Sequence, residues 1–231
     1  MARKYGFENI TIDLIFGTPG LTDEKWKSNF DTVASLAIPH ISCYALTVEA
    51  GTALEKMIHL KKKESISSDQ QSRQFELLMR WAADQGFEHY EISNFAKPGF
   101  RSRHNSSYWK GLPYLGLGPS AHSFNGKSRQ WNIANNASYL TSISLGNIPF
   151  ELEELTGTQQ LNEYIMIRLR TMEGLSLKDI QLKWGKEIEK EIIQKAAPFI
   201  THKKIIIKEE YLILNNKGKL FADGIAAELF W

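Results

Sequence analysis

The sequence is poor in cysteine, with Cys43 as its single thiol among 231 residues. One thiol excludes an internal disulfide, a four-cysteine zinc site and an iron–sulfur cluster that takes three thiolates from this chain. Cys43 lies inside the apolar run 38–46. This position predicts a buried structural thiol rather than a metal ligand.

Long apolar runs are missing as well. No segment approaches the roughly 18 apolar residues that would cross a bilayer. Residues 1–20 lack the basic start, apolar middle and small-residue cleavage site of a secretory signal. The sequence therefore predicts no transmembrane segment and a cytoplasmic protein.

The sequence also lacks an excess of charge of one sign. Its 28 Lys and Arg stand against 26 Asp and Glu, a formal charge of +2. Residues 150–231 hold 12 Lys and Arg and 13 Asp and Glu, which leaves no basic face for phosphates. We expect no nucleic-acid partner, although a local basic patch is compatible with this balance.

The content of 42% hydrophobic residues is enough for one sizeable core or for a larger and a smaller domain. Residues 9–16 alternate in polarity and predict a strand, which the GTPG turn ends. Thr22 is a suitable N-cap for a helix with apolar residues at helical spacing up to Ala37, and Pro39 ends that pattern. With a second strand at 41–46, this order predicts a βαβ unit with a parallel strand pair.

The following hundred residues show weaker patterns. The Lys-rich stretch 56–67 predicts a polar connection, and Ser68 a helix that ends at Gly86. Residues 88–95 predict a third strand, and 125–149 predict a loop with one short helix near Tyr139. The glycines of the GLG at 116–118 predict a close approach of the backbone to a ligand or a neighbouring strand.

The pattern changes near residue 155. Thr158 begins a predicted helix, with Leu161, Ile165, Leu169 and Met172 on one side. Ser176 and Asp179 resemble a capping box that opens a second helix. A third helix should run to about Ala197, followed by a hairpin that turns at 208–210 and a last helix after Asn216. We predict domains at 1–150 and 151–231, the second winged-helix-like.

One segment, 90–109, combines features of a binding site. It contains a predicted strand, a Pro-Gly turn and His104, which is followed by Tyr108 and Trp109. Four cations lie near this histidine in the sequence: Lys97, Arg101, Arg103 and Lys110. A planar, anionic, metal-bearing ligand would use the aromatic rings, the cations and the histidine. A solvated loop, with the histidine capping a turn and the tryptophan in the core, is the alternative.

Four blocks resemble a known family: NITIDLIFGTPG, YEISNFAKPG, RHNSSYW and YLGLGPSAHS. They are similar to the radical S-adenosylmethionine (SAM) family of oxygen-independent coproporphyrinogen III oxidases and haem chaperones. The resemblance implies an α/β fold, made of the C-terminal part of a partial (β/α) barrel followed by a small winged-helix-like α+β domain. It also implies SAM and a [4Fe–4S] cluster as cofactors. Because the cluster motif C-x-x-x-C-x-x-C is absent, we expect a C-terminal portion of a longer protein, inactive in SAM cleavage by itself.

The resemblance also implies site residues. The hexapeptide 104–109 resembles a motif that the chaperone branch associates with haem binding. It implies His104 as the ligand of the haem iron. It further implies haem contacts through Asn105, Tyr108, Trp109, Arg101 and Arg103. Contacts with SAM are implied for Asp13, Thr47 and His122.

Three functions remain open from the sequence. The first is a haem chaperone, which binds haem or another tetrapyrrole and delivers it to haem-accepting proteins. The second is an oxygen-independent coproporphyrinogen III oxidase of porphyrin biosynthesis. The third is a non-enzymatic module that binds a protein partner. The hexapeptide favours the first function over the second.

Overall fold

The computed structural model describes residues 1–231, which form two compact units. Unit 1 comprises 1–102, 170–172 and 214–222, and unit 2 comprises 103–169, 173–213 and 223–231. The predicted domain boundary at 150 stays a prediction. No helix has the length and apolar character required to span a membrane.

The first hundred residues form an alternating α/β arrangement. In chain order the elements are β1 (Thr11–Phe16), α1 (Asp23–Ser35), β2 (His40–Ala45), α2 (Ala53–His59), α3 (Ser68–Asp84), β3 (Glu88–Glu91) and β4 (Asn94–Ala96). The strands form one sheet in the order β1-β2-β4-β3. β1 and β2 are parallel, as the βαβ pattern predicts, whereas β4 pairs antiparallel with both β2 and β3.

The remaining residues form two further sheets and most of the helices. In chain order the elements are α4 (Arg103–Trp109), β5 (His122–Phe124), β6 (Ser128–Asn132), α5 (Asn136–Ser144), β7 (Phe150–Glu154), α6 (Gly157–Leu169), β8 (Leu175–Ser176), α7 (Leu177–Trp184), α8 (Lys186–Thr201), β9 (Ile205–Lys208), β10 (Tyr211–Leu214), α9 (Asn216–Lys219) and α10 (Ala222–Glu228). One sheet has the order β5-β6-β7, and the other has the order β8-β10-β9.

The core of unit 1 follows from the alternation in β1. Ile12, Leu14 and Phe16 face the hydrophobic cluster, which α1 and α3 complete with Trp26 and Phe75. The Phe16 ring stacks on that of Phe75, with 5.8 Å between ring centroids. The predicted N-cap of α1 is confirmed, because the Thr22 side chain accepts a hydrogen bond from the Lys25 N–H. The opposite face of β1 is therefore left to polar and exposed side chains.

The core of unit 2 contains the predicted helices. Leu161, Ile165 and Leu169 are buried along α6, as their spacing predicts. Met172 lies beyond the end of this helix and is 40% exposed, so its predicted place on the same side of the helix is wrong. The capping box is confirmed on one side, since the Ser176 hydroxyl accepts from the Asp179 N–H at 3.1 Å.

Several predicted elements are wrong in detail. Residues 88–95 form a hairpin of β3 and β4 instead of one strand. The sequence does not indicate the reversal at 92–93, because neither residue is glycine or proline. Part of the Lys-rich connection is helical in α2, where the Thr52 side chain caps the Glu55 N–H. Strand β6 replaces part of the loop predicted at 125–149. α8 continues to Thr201 with Pro198 inside it, past the predicted end.

Candidate functional site

The hexapeptide lies on a short helix and not on a loop. Helix α4 spans Arg103–Trp109, and residues four apart on a helix face the same side. This geometry places the His104 ring edge-on to the Tyr108 ring, with centroids 5.0 Å apart and an interplanar angle of 87°. Both side chains are exposed. The helix therefore presents an imidazole beside an aromatic ring at the surface.

Aromatic contacts continue from this helix into the following segment. The Tyr108 ring meets Tyr114 at 4.7 Å with an interplanar angle of 73°. Tyr114 in turn lies 6.1 Å from Phe124 and pairs with it by backbone hydrogen bonds. Edge-to-face ring contacts of this kind stabilise one another beyond their burial. Tyr108 therefore contacts one ring on its own helix, His104, and one in the following segment, Tyr114.

The two predicted arginines differ in their surroundings. Arg101 belongs to unit 1, where its Nε donates to Glu88 Oε2 at 2.8 Å and its guanidinium lies 5.5 Å from the Tyr90 ring centroid. Arg103 belongs to unit 2 and is exposed at the start of α4. An anion would have to replace Glu88 to pair fully with Arg101, so Arg103 is the better placed of the two.

A cavity of about 530 Å³ lies within unit 2, and both aromatic residues of the hexapeptide line it. Tyr108 and Trp109 contribute one side, and α6 and α7 contribute Tyr164 and Trp184. His104 is not among the lining residues. The hexapeptide therefore has two parts, a histidine at the surface and a Tyr-Trp pair at a cavity.

Asp13 occupies the face of β1 that points away from the core of unit 1. It pairs with Ser42 of β2 in the parallel ladder and is exposed. Beside it, His40 Nδ1 lies 2.7 Å from the Thr11 hydroxyl, and His40 Nε2 lies 2.6 Å from the Tyr90 hydroxyl. Burial lowers the pKa of His40, while the Asp13 carboxylate opposes this shift. This face of the sheet is polar and carries an exposed carboxylate.

The other two predicted SAM contacts lie in different units. Thr47 is exposed in the loop after β2 of unit 1, and α3 holds the start of that loop because Gln71 Nε2 donates to the Leu46 carbonyl at 2.8 Å. His122 is exposed on β5 of unit 2, with its ring 6.1 Å from that of Trp131. Asp13 and Thr47 therefore share unit 1, whereas His122 does not.

The residues present do not fit an iron–sulfur cluster. Cys43 is 1% exposed in β2, and burial raises the pKa of its thiol, which opposes formation of a thiolate ligand. No three His, Cys, Asp or Glu side chains are grouped as metal ligands. The chain therefore supplies no thiolate set for a cluster.

Sequence reasoning missed the polar network at His40 and the α6–α7 side of the cavity. The sequence signal for the network is the polar residues Thr11 and His40 in otherwise apolar strand patterns. Tyr164 and Trp184 lie on helices with apolar stripes, where aromatic residues indicate a core. Nothing in the local pattern indicates that they border a cavity.

The chain is similar to known proteins in sequence and in fold. The HemN C-terminal domain family matches residues 155–221. The heme chaperone HemW of Bacillus subtilis is 31% identical over 226 residues, which cover 97% of this chain and 59% of the relative. HemW of Mycobacterium tuberculosis H37Rv is 30% identical over 97% of this chain and 56% of its own length.

A solved structure shares the fold. The coproporphyrinogen III oxidase HemN of Escherichia coli, a radical SAM enzyme, superposes with a TM-score of 0.78 at 20% identity, over 99% of this chain and 56% of that chain. At this identity the likeness establishes the fold alone. The chain is similar over nearly its whole length to the family of HemN- and HemW-like proteins. Within that family, the relatives that are 30–31% identical over nearly the whole chain are heme chaperones HemW, and the chain spans little more than half of their length.

Proposed function

We propose that this chain is the haem-binding part of a radical SAM haem chaperone, and that helix α4 makes the haem contact. The observation that carries this proposal is the exposed His104, with the Tyr108 ring edge-on at 5.0 Å on the same helix face. The names of the relatives support haem as the ligand. The recipients are haem-accepting proteins.

The chemistry of α4 suits haem as a cargo. A neutral imidazole nitrogen is a common axial ligand of haem iron, and His104 is accessible to one. Tyr108 supplies a flat face for the porphyrin, and Arg103 supplies a guanidinium for a propionate. Asn105 and Trp109, on the same helix, complete the proposed contact set. A single axial ligand at the surface leaves the haem accessible to a recipient.

We assign SAM, when bound, to the polar face of the sheet in unit 1. Asp13 would accept hydrogen bonds from ribose hydroxyls, with Thr47 at the end of the neighbouring strand. The SAM contact predicted for His122 stays a prediction. In this proposal the sheet of unit 1 is part of a (β/α) barrel, residues 151–231 are winged-helix-like, and the protein acts in the cytoplasm.

A titration of the chain with ferric haem tests the proposal. We expect a Soret band whose position reports histidine ligation, and His104→Ala should shift this band and weaken binding about tenfold or more, which corresponds to about 1.4 kcal/mol. His59→Ala is the matched control, because the His59 side chain is 80% exposed on α2 without a ring beside it. An unchanged spectrum and affinity of His104→Ala would refute the ligation.

Transfer is tested separately. Haem-loaded chain mixed with apomyoglobin should yield the myoglobin spectrum, with His104→Ala transferring less because it carries less haem. If the loaded chain keeps its haem, the result contradicts a chaperone role and supports only haem binding.

A further inference from the structure

The cavity of unit 2 has the size and the walls of a ligand site. Its volume of about 530 Å³ falls within the range of about 300–1,000 Å³ that small-molecule sites occupy. Its walls come from the end of α4, the β5–β6 hairpin, α6 and α7. All of these elements belong to unit 2.

The walls are rich in flat side chains. Tyr108 and Trp109 face the cavity from α4, and Tyr164 and Trp184 face it from α6 and α7. The rings of Tyr164 and Trp184 are 5.4 Å apart with an interplanar angle of 42°. Trp184 is fixed because its Nε1 donates to the Gly157 carbonyl at 3.2 Å. Aromatic walls of this kind favour a planar conjugated ligand.

The charges of the lining favour an anion. Four cations and two carboxylates line the cavity, an excess of two positive charges: Lys110, Arg129, Arg168 and Lys183, with Glu163 and Asp179. The carboxylates already have partners within the wall. Glu163 lies 2.8 Å from Arg129, and Asp179 accepts from the Tyr164 hydroxyl at 2.8 Å. Lys183 Nζ stands 4.9 Å from the Tyr164 ring centroid.

We propose that this cavity binds the ring of a tetrapyrrole dicarboxylate, with Trp184 against the ring and Lys183 at a carboxylate. The inference rests on the proposed function for the class of ligand, but it does not involve the iron. Because His104 does not line the cavity, this contact recognises the porphyrin itself. The protein therefore holds a tetrapyrrole by two means that share Tyr108 and Trp109, an axial ligand on α4 and a cavity that needs no metal.

Metal-free deuteroporphyrin IX tests the cavity separately from axial ligation, because it has no iron for His104 to bind. Fluorescence anisotropy of the porphyrin measures its binding. The parent chain and His104→Ala should bind it alike. Trp184→Leu and Lys183→Glu should each weaken binding tenfold or more. Lys178→Glu is the matched control for charge, since it is exposed on the same helix α7 outside the lining, and Trp131→Leu is the control for loss of a tryptophan.

The outcomes distinguish the cavity from the proposed function. No binding of metal-free porphyrin, or equal binding by Lys183→Glu and Lys178→Glu, overturns the cavity proposal. Haem binding that depends on His104 in that case leaves the proposed function standing. Porphyrin binding with a haem spectrum insensitive to His104 supports the cavity and refutes the ligation. If a thermal melt shows that Trp184→Leu does not fold, Lys183→Glu still tests the proposal, because Lys183 is exposed.

Discussion

His89 and Lys219 form a contact that only the folded chain can create. The His89 ring stacks on Phe95 with centroids 4.0 Å apart, and Lys219 Nζ donates to His89 Nδ1 at 3.0 Å. His89 Nε2 donates to the Ile92 carbonyl at 2.9 Å. Burial, and then the charge of Lys219, lower the pKa of His89 to about 3. The imidazole is therefore neutral in the folded chain at neutral pH.

This contact predicts acid sensitivity. The pKa of His89 is about 3 when folded and about 6.5 when unfolded, so its stabilisation is complete above pH 6.5. As the pH falls from about 6.5 towards 3, the unfolded chain binds a proton that the folded chain refuses. The free energy of unfolding should then fall by up to about 1.4 kcal/mol per pH unit.

Urea unfolding between pH 4.5 and 7.5 measures this dependence. His89→Gln should flatten the curve, because glutamine does not titrate in this range. His59→Gln, on an exposed side chain, should leave the slope as in the parent. Parallel curves for the parent and His89→Gln would show that His89 does not carry the pH dependence.

At the scale of elements, one buried amide connects α3 to the loop after β1. Gln74 is fully buried, its Oε1 accepts from the Gly17 N–H at 2.8 Å, and its Nε2 donates to the Leu21 carbonyl at 2.9 Å. The backbone carbonyl of Gln74 accepts a hydrogen bond from Trp26 Nε1 at 3.0 Å. The loop that follows β1, the strand that carries Asp13, is thus held from the helix side.

Gln74→Leu keeps the approximate size of the side chain and removes these two hydrogen bonds, together with a longer one from Nε2 to Asp23 Oδ1 at 3.5 Å. A buried donor or acceptor without a partner costs about 1–3 kcal/mol, so we expect a loss of about 2–4 kcal/mol in the free energy of unfolding. Gln194→Leu, at an exposed position of α8, is the control and should change it by less than about 0.5 kcal/mol. Equal midpoints of urea unfolding would contradict the role of Gln74.

Elements with a local chemical signal were predictable from the sequence. The N-cap at Thr22 and the cap at Ser176 each leave a polar residue ahead of an apolar stripe, and α1 and α7 begin there. The Thr52-x-x-Glu55 pattern carries the same signal for α2, but the following lysines obscured it. The reversal at 92–93 has no such signal, because long-range pairing of β4 with β2 determines it.

The candidate site was predictable in composition and not in arrangement. The six residues 104–109 indicate a tetrapyrrole by their types and by resemblance. Their division between a surface histidine and a cavity depends on Tyr164 and Trp184, which lie more than 50 residues away in the sequence. Contacts across such distances are fixed by tertiary packing and leave no local pattern.

For the whole molecule, the single thiol sets the redox chemistry. A [4Fe–4S] cluster needs several thiolates, and Cys43 is buried in β2. Anaerobic incubation of the chain with iron and sulfide should give no visible absorbance band of an iron–sulfur cluster. With SAM and dithionite added, it should yield no 5′-deoxyadenosine. Detection of both products would refute this prediction.

The order of synthesis matters for the two units, because their segments alternate along the sequence. Unit 1 includes 1–102 and 214–222, so its first segment is completed only after residues 103–213 have been synthesised. Lys219 follows its partner His89 by 130 residues. At about 5–20 residues per second, that separation corresponds to a delay of roughly 6 to 26 s. During that interval the part of the unit 1 core against which Leu220 packs stays uncovered on the nascent chain. We therefore expect chaperones that act on ribosome-attached chains to bind it.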